Sequence, residues 1–199
     1  LPLLDSVQLT YRGGVGRIPD KALYALADCP LLGRLRRLDF GPNHFPGAHA
    51  FARLLKNAPL DRLEVLRIGY NRKGSGVGKI GMRALLASPA LPRLKEVGLP
   101  GQRLGPSGGL GLLLEAAGTP LANLEVLDLA YNELEKEHGE ALLAAIEDNK
   151  LPKLRTLQLE NRLEDEALPN WMLEPSRNRL DEALLARLRK AVEAAAGDR

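Results

Sequence analysis

The sequence predicts an α/β fold in which one strand-turn-helix unit is repeated along the chain. Three observations predict it: aliphatic residues spaced as in a short strand, a polar turn residue shortly after that strand, and an amphipathic helical stretch before the next strand. The clearest copy is 121–150, where four strand leucines are followed by Asn132, Leu134 and a helical pattern. A unit of this size cannot cover its own apolar face, so stacked copies are needed.

The unit occurs six times, at intervals of 28 to 31 residues. The repeats begin near residues 1, 32, 60, 91, 121 and 151. Their strand cores are Leu4-Val7-Leu9, Leu35-Leu38-Phe40, Leu63-Leu66-Ile68, Leu94-Val97-Leu99, Leu124-Leu127-Leu129 and Leu154-Leu157-Leu159. A fixed period of this length is the signature of a repeat array. We therefore predict one domain over residues 1–199, with a C-terminal cap over about 161–199.

The pattern L-x-x-L-x-L-x-x-N-x-L followed by a helix resembles the leucine-rich repeat, and the period resembles its long, ribonuclease-inhibitor-like class. The resemblance implies a solenoid shaped as a right-handed horseshoe, with a parallel sheet on the concave face and helices on the convex face. It also implies that a turn asparagine saturates backbone groups between repeats, and Asn43, Asn71 and Asn132 occupy that column. Arg12 and Gln102 replace it in repeats one and four, so we expect the ladder to be interrupted there.

The two ends of the chain differ. Repeat one starts at Leu1 without a polar cap, and an uncapped array exposes a sheet edge. We expect either further repeats or a cap N-terminal to Leu1 in a longer protein, or a partner that covers Leu1 to Leu9. At the other end, an amphipathic helix from about Asp181 to Ala196 is predicted to close the array. Trp171 either packs this cap or binds a ligand, and its large apolar area favours packing.

Composition and charge argue against several kinds of partner. The 28 basic and 25 acidic residues are scattered among each other with no long basic run, which argues against nucleic-acid binding. No apolar run approaches the roughly 20 residues of a membrane span. The single cysteine, Cys29, excludes an internal disulfide and suits a reducing compartment, so we expect a cytoplasmic location.

Residues 76–81, GVGKIG, form a G-x-G-x-x-G pattern of the kind that binds a dinucleotide at a helix start. The repeat argues against that function, because residues 15–18 match 77–80 at a distance of two repeats. This match places Ile18 and Ile80 in an apolar turn column held elsewhere by Phe45, Leu104 and Leu134. We interpret the glycines as a lengthened turn and expect no cofactor.

Histidine and cysteine, which often act in catalysis and metal binding, are few in this sequence. His44, His49 and His138 do not have the spacing of a zinc site. A cysteine nucleophile needs a poised base, and Cys29, between Asp28 and Pro30 at a predicted helix end, is expected instead to fill space against the next repeat. We identify no catalytic residue and no metal site, and we predict that the protein is not an enzyme.

Side chains alternate along a strand, so the residues between the core leucines are predicted to point away from the core. Together with the residues beside the asparagine column, they give a predicted partner-binding set of Arg37, Asp39, Arg67, Tyr70, Glu96, Asp128, Tyr131 and Gln158. Tyr11, Tyr70 and Tyr131 precede the turn residue in three repeats. They either anchor a partner or cover the turn of the adjacent repeat.

These observations favour a non-enzymatic protein-interaction module that binds a protein partner through the concave sheet face. The resemblance implies an alternative, a regulator of another enzyme that acts as a ribonuclease-inhibitor-like blocker or a GTPase-activating protein. A third interpretation is a structural domain of a larger chain.

Overall fold

The computed structural model describes residues 5–9, 18–41, 47–68, 76–118, 121–160 and 177–197. These residues form an α/β fold with six strands in one sheet, in chain order. The strands are β1 Ser6–Gln8, β2 Arg37–Asp39, β3 Val65–Arg67, β4 Glu96–Gly98, β5 Val126–Asp128 and β6 Thr156–Gln158. Every neighbouring pair is parallel. The predicted α/β class is confirmed.

The register of the sheet aligns the residues that the sequence period relates. Leu38 lies opposite Leu66, which lies opposite Val97, and the same pairing continues through Leu127 to Leu157. The middle residue of each of the four central strands is buried, while the two flanking residues project to the other face. The residues on either side of the middle position therefore form two columns that run across the sheet.

Six α-helices connect or follow the strands among the described residues. They are α1 Asp20–Ala27, α2 Ala48–Asn57, α3 Gly78–Leu86, α4 Gly109–Glu115, α5 Lys136–Glu147 and α6 Glu182–Gly197, with short 3₁₀ helices at Pro30–Arg34 and Leu91–Arg93. Each α-helix packs against the next one in the chain. Their apolar faces and the middle strand residues form one aliphatic core cluster, to which Phe40 and Phe51 add the fully buried rings.

A buried amide joins repeat four to repeat five. The side chain of Asn132 is fully buried, and its Oδ1 accepts hydrogen bonds from the backbone N–H groups of Gln102 at 2.9 Å and Leu104 at 3.2 Å. Its Nδ2 donates to the carbonyls of Leu99 at 2.8 Å and Ala130 at 3.2 Å. One side chain thus satisfies four backbone groups at two neighbouring turns.

Asn178 makes the same contacts one repeat later. Its Oδ1 accepts from the N–H groups of Asn132 at 2.9 Å and Leu134 at 3.0 Å. Its Nδ2 donates to the carbonyls of Leu129 at 3.0 Å and Leu159 at 2.8 Å. The structural counterpart of Asn132 in repeat six is therefore Asn178.

Gln102 continues the ladder in repeat four, so the expected interruption there is wrong. Gln102 is fully buried, its Oε1 accepts from the N–H of Val77 at 3.2 Å, and its Nε2 donates to the carbonyl of Pro100 at 3.0 Å. Glutamine carries the same amide as asparagine and so supplies the same donor and acceptor. The other positions of this column, Arg12, Asn43 and Asn71, lie outside the described residues.

The same hydrogen bond corrects the turn of repeat three. The backbone N–H of Val77 donates to the side-chain oxygen of Gln102, just as the N–H groups of Leu104 and Leu134 donate to the next amide of the ladder. The side chains of Val77, Leu104 and Leu134 are all fully buried. Ile80, which the sequence places in this column, is 44% exposed. Counting residues fails here because Val77 lies ten positions after Arg67, whereas Leu104 lies six positions after Gly98. The hydrogen bond identifies the equivalent position.

Close packing explains two glycines of the 76–81 segment. A Cβ on Gly76 would lie 2.2 Å from the carbonyl oxygen of Gln102, and one on Gly81 would lie 2.4 Å from the Cβ of Val77. Real Cβ atoms do not approach other atoms that closely, so both positions require glycine. These contacts serve the packing of the turn, in agreement with a lengthened turn.

The predicted C-terminal helix is present as α6. Leu184, Leu188 and Val192 on one side of it are buried, and it packs against α5. Gly139 of α5 permits this contact, because a Cβ there would lie 2.6 Å from a methyl group of Leu184. Asp181, the residue before α6, caps the start of the helix, since its Oδ1 accepts from the N–H of Leu184 at 2.7 Å. Trp171 lies outside the described residues.

We predict that Asn132→Ala lowers the free energy of unfolding by about 3 to 5 kcal/mol, because it leaves several buried backbone groups without partners. Urea denaturation followed by circular dichroism measures this change. Asn57→Ala, at the exposed end of α2, is the matched control and should shift stability by less than about 0.5 kcal/mol. Equal effects of the two substitutions would contradict a structural role for the buried amide.

Candidate functional site

The outward side of the six strands forms an open surface, here called the sheet face. Its first column is Ser6, Arg37, Val65, Glu96, Val126 and Thr156, and its second is Gln8, Asp39, Arg67, Gly98, Asp128 and Gln158. The side chains of Arg37 and Arg67 are 35% and 41% exposed, so solvent reaches the centre of this face. Six of the eight predicted partner-binding residues lie on it.

Four of those six form one ion-pair network across β2, β3 and β4. Nη2 of Arg37 donates to Oδ2 of Asp39 at 2.9 Å, and Nη1 of Arg37 lies 3.8 Å from Oε2 of Glu96. Arg67 donates from its Nε to the other oxygen of Glu96. Two cations and two carboxylates thus hold each other in place, so this charged surface has a fixed arrangement and little net charge.

Gly98 shapes this network although it has no side chain. It lies opposite Arg67 in the register, and a Cβ on it would come within 3.0 Å of Cγ of Arg67. The missing side chain leaves room for Arg67 to extend across β4 towards Glu96. Gly98, which adds no side chain to the second column, therefore provides the space in which the Arg67 side chain lies.

The two aspartates of the predicted partner-binding set, Asp39 and Asp128, each accept a backbone hydrogen bond just after their strand. Oδ1 of Asp39 accepts from the N–H of Gly41 at 2.8 Å, and Oδ1 of Asp128 accepts from the N–H of Ala130 at 3.0 Å. Such side-chain to backbone bonds fix the chain as it leaves a strand. Asp39 is also nearly inaccessible, at 5% exposure. Its carboxylate therefore organises the sheet face and presents little surface of its own.

Tyr131, the member of the tyrosine column that lies among the described residues, is not exposed beside the sheet face. Tyr131 is 1% exposed and has a left-handed backbone with φ of 56°. This burial agrees with the packing alternative for Tyr131. Tyr11 and Tyr70 lie outside the described residues. Gln158 is half-buried on β6, opposite Asp128 and away from the ion-pair network.

No group of three or more His, Cys, Asp and Glu side chains within the described ranges could hold a metal ion. Among the same residues, no helix is both long and apolar enough to cross a membrane. His138 has a structural contact, since its Nδ1 accepts from the N–H of Glu135 at the start of α5 at 3.0 Å. A cleft of about 650 Å³ lies between α5 and α6, remote from the ion-pair network.

A second charged feature, which the sequence reasoning missed, lies where the strands begin. The residue before each strand alternates in sign across the sheet, in the order Asp5, Arg36, Glu64, Lys95, Glu125 and Arg155. Backbone hydrogen bonds of 2.7 to 2.8 Å join each of these residues to the next. In the sequence, these six residues are the ones that directly follow the first core leucine of each repeat, so their alternating charges were visible there. Opposite charges on neighbouring strands favour this register.

Neither a protein-family model nor a curated protein sequence matches the chain. Functional conclusions for this protein therefore rest on the surfaces described above.

We predict a weak, salt-dependent coupling within the sheet-face network. A double-mutant cycle of Arg67→Met and Glu96→Gln should give a coupling energy of about 0.3 to 1 kcal/mol at low salt, because the pair is partly exposed. It should shrink in roughly 0.5 M salt, where screening is strong. Urea denaturation of the four proteins measures it.

The control cycle combines Arg67→Met with Glu160→Gln, three strands away. Strands are spaced by about 4.8 Å, so this pair is too distant to couple. Equal coupling in both cycles would contradict a specific contact between Arg67 and Glu96.

Proposed function

We propose that this chain is a leucine-rich-repeat solenoid that acts as a non-enzymatic protein-interaction module, with the sheet face as its concave binding surface. The side-chain amides of Gln102, Asn132 and Asn178 support the repeat class, because each joins one turn to the preceding one in the same way. Parallel strands in chain order with helices packed side by side also agree with it.

The observation that carries the function is the fixed charge arrangement on an open face. The side chains of Arg37 and Arg67 are 35% and 41% exposed, and both lie against the less exposed Glu96, so a partner would meet side chains that are already paired. Ordering flexible side chains during binding costs affinity, and preorganisation reduces that cost. Val65 and Val126 flank Glu96 in the first column and add apolar contact area.

This arrangement fits a protein partner with charges of both signs. The network pairs its cations with carboxylates, so it would exchange internal ion pairs for intermolecular ones. Such exchange favours specificity over raw affinity. The free thiol of Cys29 is compatible with a cytoplasmic location, which is part of the proposal.

The test is affinity capture from native lysate with quantitative mass spectrometry. Arg67→Glu combined with Gln158→Arg alters two distant points of the sheet face, and we expect it to reduce capture of the specific partner at least tenfold. The reason is that one substitution reverses a central charge and the other adds a cation at the edge of the same surface.

Lys21→Glu combined with Arg83→Glu, on exposed positions of α1 and α3, is the control and should retain the partner. Circular dichroism verifies that all variants are folded. If the partner is kept by the sheet-face variant and lost by the helix variant, the proposed surface is wrong.

A further inference from the structure

A polar cleft of about 370 Å³ opens at the edge of the sheet where the strands begin. We call it the edge cleft, and it is lined by Arg36, Arg62, Glu64, Pro92, Arg93, Lys95 and Asn123. These residues come from the stretches that lead into β2, β3, β4 and β5. The repeat therefore gathers, on one edge, basic residues that are about 30 positions apart in the sequence.

The edge cleft contains four cations and one carboxylate. Glu64 accepts from Nη1 of Arg36 at 2.6 Å and from Nζ of Lys95 at 2.9 Å. The hydrogen bond from Lys95, together with the positive charges of Lys95 and Arg36, lowers the pKa of Glu64 below its ordinary value. Glu64 thus stays ionised at neutral pH and compensates part of the positive charge of Arg36 and Lys95.

Arg62 and Arg93 provide the uncompensated charge. Both are exposed, and neither forms an ion pair within the part of the chain that the structure describes. Each guanidinium carries five N–H donors in a planar fork that matches a carboxylate. Two such forks at one cleft, on consecutive repeats, offer more donors than the cleft has acceptors.

The neighbouring amide does not change this balance. Nδ2 of Asn123 donates to the carbonyl of Pro92 at 2.8 Å, and its Oδ1 accepts from Nζ of Lys153 at 2.7 Å. Asn123 is therefore held as a wall of the edge cleft, with its oxygen already engaged. An acceptor-rich ligand is what the remaining donors require.

We propose that the edge cleft binds an acidic segment of a protein, with carboxylates of the segment paired to Arg62 and Arg93. This surface is distinct from the sheet face, and the proposal does not depend on the function proposed for that face. Charge complementarity selects the partner: the cleft holds an excess of cations, while the ion-pair network on the sheet face is balanced.

The surroundings of the cleft favour a peptide over a nucleic acid. A phosphate backbone that followed this edge would meet Glu64 and Glu125 at alternate strands, and each would repel it. The lining residues include no aromatic ring on which a base could stack. A short acidic segment needs only the local cluster and avoids both difficulties.

Fluorescence anisotropy with a labelled hexaglutamate peptide, at low ionic strength, tests the proposal. The wild-type protein should bind this peptide more tightly than a labelled hexaglutamine peptide. Arg62→Glu combined with Arg93→Glu should weaken binding of hexaglutamate by about tenfold or more, because it replaces both free guanidinium groups by carboxylates. Lys21→Glu combined with Arg83→Glu changes the net charge equally and should have less than about a twofold effect.

Glu64→Gln is a variant that should change the affinity for hexaglutamate in the opposite direction. It removes the carboxylate of the cleft and releases donors of Arg36 and Lys95, so affinity for hexaglutamate should rise about threefold. Circular dichroism shows whether each variant is folded.

Two results would overturn the proposal. One is an equal loss of affinity in the cleft and helix variants, which would mean that only net charge matters. The other is tighter binding of a single-stranded RNA of similar length, lost in the Arg62 and Arg93 variant, which would make the cleft a nucleic-acid site. Neither result bears on the sheet-face variants, which leave Arg62 and Arg93 unchanged.

Discussion

The buried amide ladder is the constraint on which the rest of this structure depends. Asn132, which is fully buried, and Asn178, which is partly buried, each satisfy four backbone groups of two consecutive turns. The fully buried Gln102 contributes in the same position. An unpaired backbone group in such a place costs free energy comparable to a lost hydrogen bond. The turns must therefore stack at one spacing, which in turn fixes the register of the strands and the two columns of the sheet face.

The sequence predicted this part well because strand alternation and the repeat period are short-range or strictly periodic signals. The strand positions and the column partners followed from them directly. The wrong assignment of Ile80 to the turn column, where the structure has Val77, arises because the number of residues between a strand and that column differs between repeats. A pattern counts residues along the chain, whereas the structure selects whichever residue can reach the hydrogen bond of the neighbouring turn.

For the candidate site, the sequence showed which strand residues face outward and could not show how they pair. Arg67 reaches Glu96 diagonally across the sheet, which depends on the space above Gly98 and on side-chain conformation. The sequence also could not show that Tyr131 is buried, because a ring beside a turn can either pack over the turn or extend into solvent. Alternating charges before the strands were visible in the sequence, but their convergence on one cleft follows only from the register.

The two charged surfaces differ in how their charges are balanced, and this difference assigns them different physical roles. On the sheet face, each arginine of the network already has a carboxylate, so long-range attraction to the proposed partner would be weak and short-range fit would decide binding. At the edge cleft, Arg62 and Arg93 keep an uncompensated field that extends over about a Debye length. A partner that carries an acidic segment beside a shape-complementary surface would thus be attracted to the edge first and selected by the sheet face afterwards.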